Sequence, residues 1–240
     1  MLYAVLADIH GNLEALHAVL DEVERSGADR LICLGDLVGY GADPSECVDA
    51  MRHLDAIVVA GNHDWAAVEK LSTAYFNADA RDSINWTRTR LSADQMEYLA
   101  SLELMHMAGG VTAVHSSPSF PEYFDYLQTV YDVRLAFDHV RTDVCFVGHS
   151  HVPIMFLDTM PINYFLRSEF EIPVGHRAIV NVGSVGQPRD LDPRACYVLY
   201  DSDERVVRMY RLDYDVHAAS EKMMACGLPA TNAARIMVGR

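Results

Sequence analysis

The chain contains no apolar stretch approaching the roughly 18 residues needed to cross a bilayer, so a membrane protein is not expected. It is short of positive charge: 19 Lys and Arg stand against 34 Asp and Glu, a formal net charge of −15. Such a surface repels polyanions, which makes long nucleic acid a poor partner. Small anions remain acceptable wherever bound cations reverse the local field. The five cysteines (Cys33, Cys47, Cys145, Cys196 and Cys226) are odd in number and show no CxxC spacing, so they read as reduced structural thiols. The start of the chain lacks the basic region and cleavage site of a secretory signal, and a cytoplasmic location is the expectation. Repeats, low-complexity tracts and linkers are also missing. With half of its 240 residues hydrophobic, the chain is expected to form a single domain over residues 1–240.

What is present is an alternation. Short runs rich in Val, Ile and Leu predict strands at 2–7, 30–34 and 56–60, separated by helices at 11–26 and 44–52. Leu13, Leu16, Val19, Leu20 and Val23 mark the buried face of the first helix, and Gly27 ends it. This pattern implies parallel strands joined by right-handed crossovers. Residues 78–104 predict an inserted helical pair, its second helix opened by the capping box Ser92–Gln95. Beyond a strand at 111–114, strands are expected at 144–148, 153–158, 177–182, 195–200 and 205–212, then a last helix at 215–226. The fold class is α/β, with two mixed β-sheets packed face to face and helices outside. The irregular aromatic segment 119–127 is expected to wall a cleft, and the apolar stretch after 215 offers a contact for a homo-oligomer.

Five of the apolar runs end in residues that bind metals: Asp8-Ile9-His10, Gly35-Asp36, Gly61-Asn62-His63-Asp64, His115 and Gly148-His149-Ser150-His151. Polar groups that follow buried strands lie in the crevice at the strands' carboxyl ends. Asp8, His10, Asp36, Asn62, His115, His149 and His151 supply carboxylate, amide and imidazole donors without sulfur. That mixture suits Mn, Fe, Co, Ni or Zn. Seven donors exceed the needs of one such ion but suffice for two divalent ions if Asp36 bridges. Two cations about 3.5–4 Å apart can hold a bridging hydroxide and clamp an in-line displacement, chemistry suited to phosphate esters. His63 is placed to protonate a departing alkoxide, with Asp64 expected to set its tautomer.

These motifs, in this order, resemble those of the calcineurin-like metallophosphoesterase superfamily, from Asp8 to about Tyr200. The resemblance implies a four-layer α-β-β-α sandwich with a binuclear centre. It assigns Asp8, His10, Asp36 and His151 to one metal, Asp36, Asn62, His115 and His149 to the other, and His63 as catalytic acid. The stretches Asp8–Asn12, Gly35–Pro44 and Gly183–Asp190 resemble the small prokaryotic phosphodiesterase branch. They place Asn12, Ser184, Gln187 and Arg189 at the substrate phosphate. The competing expectation for Arg189 is an ion pair with Asp190 or Asp192. Protein phosphatases of the superfamily carry an Arg after the bridging Asp; here Gly39-Tyr40-Gly41 stands instead, which argues against that activity. Ser116 and Val182 also depart from the branch's usual Gly and Pro. The expected activity is therefore hydrolysis of small phosphodiesters or nucleotide-type organic phosphates. The alternatives are a non-catalytic scaffold, as in the retromer subunit of this superfamily, and a DNA nuclease, which the acidic charge disfavours. Arg81, Arg88 and Arg90 in the helical pair, with Trp86, read either as a lid over an anionic substrate or as a core Trp with solvated arginines.

Overall fold

The computed structural model describes residues 1–240. Its first third follows the predicted alternation: β1 (Leu2–Leu6), α1 (Leu13–Ser26), β2 (Arg30–Cys33), α2 (Pro44–Arg52), β3 (Ala56–Val58). Three helices come next, α3 (Asn62–Ala67), α4 (Ala78–Arg88) and α5 (Ala93–Ser101). The chain continues through β4 (Met105–Ala108), β5 (Val111–Val114), α6 (Val130–Phe137), β6 (Val144–Val147) and β7 (Ile154–Leu157). It then forms β8 (Asn163–Phe165), β9 (Glu169–Glu171), β10 (Ala178–Asn181), β11 (Ala195–Asp201) and β12 (Val206–Leu212), and closes with α7 (Val216–Ala225) and α8 (Ala230–Ile236).

The first sheet has the order β3-β2-β1-β11-β12-β9 and the second β4-β5-β6-β10-β7-β8. Both are mixed. In the first, β1, β2 and β3 are parallel; in the second, β5, β6 and β10 are. Strand β1 shows why these runs read as continuously apolar: both of its faces are covered. Tyr3, Val5 and Ala7 face the core between the sheets with Val144, Phe146 and Val180. Ala4 and Leu6 face outward and pack with Leu16 and Val19 of α1 and Val48 and Met51 of α2. On the far side, Val133, Ala136 and Phe137 of α6 cover Cys145, Val147 and Ile179. The result is the α-β-β-α layering. Each fully buried Leu, Val or Phe of these layers contributes about 1.5–3 kcal/mol.

Several elements carry little periodic signal. Strands β4, β8 and β9 are short, and α3 (NHDWAA) has too few residues for a helical pattern. Strand β9 joins the first sheet beside β12 although it lies between strands of the second, a non-local pairing that sequence period does not encode. The apolar stretch after 215, expected to offer an oligomer contact, packs within the chain. Ala219, Met223, Leu228, Ala233 and Ile236 form a small core against Trp86 and Ala42. Four cysteines are buried and Cys226 is half-buried, all as free thiols. No helix is long and apolar enough to cross a membrane.

Candidate metal centre

The carboxyl ends of the parallel strands converge on one rim of the sandwich. Asp8 and His10 follow β1, Asp36 follows β2 and Asn62 follows β3; from the second sheet, His115 follows β5, and His149 and His151 follow β6. All seven are buried. Asp8, His10, Asp36, His149 and His151 have left-handed backbones, with φ between 51° and 66°. That conformation is uncommon for non-glycine residues and is kept only where surroundings impose it. Here it turns each chain sharply off its strand and leaves the side chain on the rim. Glycine is required where two such turns meet: a Cβ on Gly61 would lie 2.0 Å from Asp36 Oδ1.

Two donor groups share one carboxylate. His10 Nε2 lies 3.2 Å from His151 Nε2, and Asp8 Oδ1 is 3.5 Å from His151 Nε2. His115 Nε2 lies 3.1 Å from both His149 Nδ1 and Asn62 Oδ1. Asp36 Oδ2 stands between the groups, 3.6 Å from His10 Nε2 and 3.4 Å from His115 Nε2. The outer nitrogens fix the tautomers. The Nδ1 atoms of His10, His115 and His151 donate to the carbonyls of Val38, Leu34 and Gln187, at 3.0, 2.8 and 2.6 Å. Their Nε2 lone pairs therefore point into the centre, as in imidazoles that bind a metal through one nitrogen and are oriented by a carbonyl at the other. Lone pairs facing each other at 3.2 Å repel unless a cation lies between them, so these clusters fit divalent metal ions.

Electrostatics agree. Burial, with the neighbouring carboxylates, pushes Asp8 well above the usual range, and burial lifts Asp36 to about 8. Burial also holds His10, His149 and His151 well below their ordinary value and lowers His115 to about 4. Neutral imidazoles and carboxylates that resist ionising are what a dry pocket imposes. A cation would favour the ionised carboxylates and keep the imidazoles neutral, so it suits both kinds of donor.

Three expected roles come out differently. Asp64 makes no hydrogen bond to the His63 ring. Its Oδ2 accepts from the amides of Asp36 and Gly61, at 2.8 and 3.0 Å, and its Oδ1 from Leu37 and Val38, at 2.9 and 3.4 Å. As the third residue of α3, Asp64 folds back on the helix start and clamps the loops after β2 and β3 together. Asn12 is the N-cap of α1. It accepts from Ala15 and donates to the Gly186 carbonyl and the Tyr214 hydroxyl, so its polar atoms are engaged within the fold. Ser184 is likewise spent, donating to the Asp8 carbonyl and accepting from the Gln187 amide.

His63 and Arg189 remain available. The His63 ring is 4.8 Å from that of His10 and 4.6 Å from Tyr40, and its buried Nδ1 has no protein partner. Arg189 forms neither expected ion pair, because Asp190 pairs with Arg211 and Asp192 with Arg194. Its guanidinium is held by Gln187 Oε1 at 2.7 Å and lies over Tyr40, and its charge reaches Asp8 and Asp36. The helical-pair arginines stay outside the centre. Arg88 binds the Ala66 carbonyl, and Arg90 stacks on Trp86, which packs against the C-terminal helices. A cleft of about 360 Å³ opens beside His63 and His149. The segment 119–127 does wall it, through Tyr123, Phe124 and Tyr126; the opposite wall runs from Leu71 to Ala80 at the start of the helical pair, and its part before residue 78 carried no sequence signal.

The comparisons with known proteins agree with this geometry. Residues 1–205 match the calcineurin-like phosphoesterase superfamily domain, and the chain belongs to that superfamily. A metallophosphoesterase from Sphaerobacter thermophilus, known from its crystal structure, is 37% identical over all of this chain and 99% of its own, with a TM-score of 0.89. An uncharacterized protein of Methanocaldococcus jannaschii is also 37% identical, over the whole of this chain and 98% of its own length. A symmetrical bis(5'-nucleosyl)-tetraphosphatase of Aromatoleum aromaticum is 32% identical over 48% of this chain and 43% of its own.

Proposed function

We propose that the protein is a binuclear-metal phosphoesterase that hydrolyses small phosphodiesters or nucleotide-type organic phosphates. The observation that carries this reading is Asp36 Oδ2 standing 3.6 and 3.4 Å from imidazole nitrogens of two separate donor groups. Asp8, His10, Asp36 and His151 would hold one divalent ion, and Asp36, Asn62, His115 and His149 the other. Mn, Fe, Co, Ni and Zn all suit these donors. Bound there, such ions supply Lewis acidity toward phosphoryl oxygens and a water ionised near neutral pH.

The chain's own residues do the rest. Arg189, free of any acidic partner, is placed to take a phosphate oxygen by a charge-assisted hydrogen bond. His63 lines the cleft and is the group available to protonate the leaving alkoxide. Its backbone amide donates to Asp36 Oδ1 at 2.8 Å, which ties the acid to the shared carboxylate. The Gln187 carbonyl, Val38 and Leu34 keep the imidazole ligands oriented. Substrates would be small because the cleft is, and the net charge of −15 disfavours a nucleic-acid polymer. A cytoplasmic setting, with its reduced thiols, suits the five free cysteines.

The test is turnover of bis(4-nitrophenyl) phosphate beside 4-nitrophenyl phosphate after loading with Mn²⁺, Co²⁺, Ni²⁺ or Zn²⁺, with EDTA controls. Metal-dependent hydrolysis supports the enzyme; two metals bound without turnover of any ester favours the scaffold. His63→Ala should lower kcat by about 10²–10⁴-fold on esters with poor leaving groups. Unchanged turnover of such an ester would remove His63 from that role.

A further inference from the structure

We propose that the cleft beside the metal centre is a stacking slot for a flat aromatic ring carried on the substrate's departing alcohol. The inference rests on the phosphoesterase reading and narrows it: the preferred esters are those whose leaving alkoxide bears a nucleobase or a simple aryl ring.

Six aromatic side chains line this one cleft, and they come from three unconnected segments: Tyr40 after β2, Tyr75 and Phe76 before α4, and Tyr123, Phe124 and Tyr126 before α6. They are built onto the catalytic groups. The Phe76 ring lies 5.1 Å from that of His63, and Tyr126 stacks on His149 at 4.0 Å with 24° between planes. Core packing does not account for all of them, since Tyr75 is 97% exposed and Tyr123 69%. Exposed aromatics gathered at a cleft mark a binding surface. The backbone is held out of its ordinary range to present them: Phe120 and Phe124, on either side of Tyr123, both have φ of 53°. Phe124 is braced edge-on against Trp65 and the ligand His115. Bulky residues keep that conformation only where packing imposes it.

The lining also limits what enters. It contains no Asp, Glu, Lys or Arg, so a ring's face fits better than a charged group. Among the polar oxygens there, Ser72 Oγ is committed to the Ala74 amide and Asn77 Oδ1 to the Ala80 amide, which leaves the tyrosine hydroxyls. A slot built mainly of ring faces should tolerate different bases, as stacking surfaces do. At about 360 Å³ it lies near the lower end of small-ligand pockets, which fits one ring with its sugar. His63 forms part of the wall whereas Arg189 does not, so the ring sits on the side where the alkoxide departs.

The test compares AMP with ribose 5-phosphate, which release closely similar primary alkoxides and differ in the base, each as monoester and as methyl diester, on the Mn²⁺-loaded enzyme. The expected result is a kcat/KM roughly 10- to 100-fold higher for the nucleotide, the range of base–aromatic stacking. Tyr75→Ala combined with Phe76→Ala should collapse that ratio toward one. 2-Phenylethyl phosphate separates the two sources of the ring: turnover near that of AMP indicates any aryl group, turnover near that of ribose 5-phosphate a nucleobase. Equal turnover of AMP and ribose 5-phosphate overturns the slot and leaves the phosphoesterase standing. If neither ester is hydrolysed, the enzyme reading is decided by bis(4-nitrophenyl) phosphate and the slot by saturation-transfer NMR with adenosine. Transfer lost in the double variant supports the slot, and no transfer to the wild type overturns it.

Discussion

The two sheets bring unlike donors to one rim. The first supplies three oxygen donors and one imidazole, Asp8, Asp36, Asn62 and His10; the second supplies imidazoles alone, His115, His149 and His151. All the anionic charge among these donors thus comes from the first sheet, and the second brings none. The bracing differs as well. Loops of the first sheet are clamped through the four amides on Asp64, whereas Tyr126, the residue stacked on His149, is itself nearly half exposed. The contrast suggests a division of labour in which the first sheet sets the charge and the second completes the donor set with neutral imidazoles, while both border the cleft, through His63 and His149.

The comparison breaks most completely at Asp36. Asp36→Ala removes the oxygen common to both donor groups, so bound metal should fall from two equivalents and kcat/KM by at least about 10³-fold. His149→Ala, on the neutral side, should weaken only the second ion. Elemental analysis after dialysis, beside the kinetics, distinguishes them; equal loss of both metals in the two variants would abolish the proposed asymmetry.

Next is Asp64→Ala, which leaves four buried amides without an acceptor. Each such loss costs about 1–3 kcal/mol, and urea unfolding of the metal-free protein should show at least about 4 kcal/mol in total. A variant of wild-type stability would mean that the clamp is dispensable.

A smaller effect concerns pH. In the metal-free protein Asp36 has its folded pKa raised to about 8 against an ordinary 3.8. The folded state therefore binds more protons than the unfolded state across that interval. Its contribution is fully present below pH 3.8 and is lost as pH rises through about 8. Below about pH 6.5 the buried histidines, held low, act in the opposite sense. EDTA-treated protein should therefore lose Tm between about pH 6.5 and 8, and saturating Mn²⁺ should remove that loss, because the ions favour the ionised carboxylate. A metal-free Tm that rises steadily across this interval would contradict the assignment.

The mildest prediction is Arg189→Ala. Losing one charge-assisted hydrogen bond, worth about 1.5–3 kcal/mol, should raise KM by roughly 10- to 100-fold without changing metal content. Steady-state kinetics with metal analysis would check it.

The donor set was legible because each member ends an apolar run, and a run buried on both faces leaves little doubt where it stops. The layering followed from the same runs. The work of Asp64 and Asn12 was not legible: both carry groups that suit chemistry and equally suit a backbone amide, and only the path of the chain decides which they meet. Likewise Gly183–Asp190 read as a phosphate loop, yet Ser184 is consumed by the Asp8 carbonyl, which leaves the side-chain amide nitrogen of Gln187 and Arg189. Tyr75 and Phe76 escaped notice because no period links them to the segment they face.

The cleft walls lie on the stretches around Tyr75 and Tyr123, which belong to neither sheet and hold no ligand. Substitutions at Tyr75 and Tyr123, both largely exposed, leave the strands untouched. Descendants of such a chain can therefore exchange one client molecule for another by drift at a handful of surface positions, while the donor set on the rim is inherited unaltered.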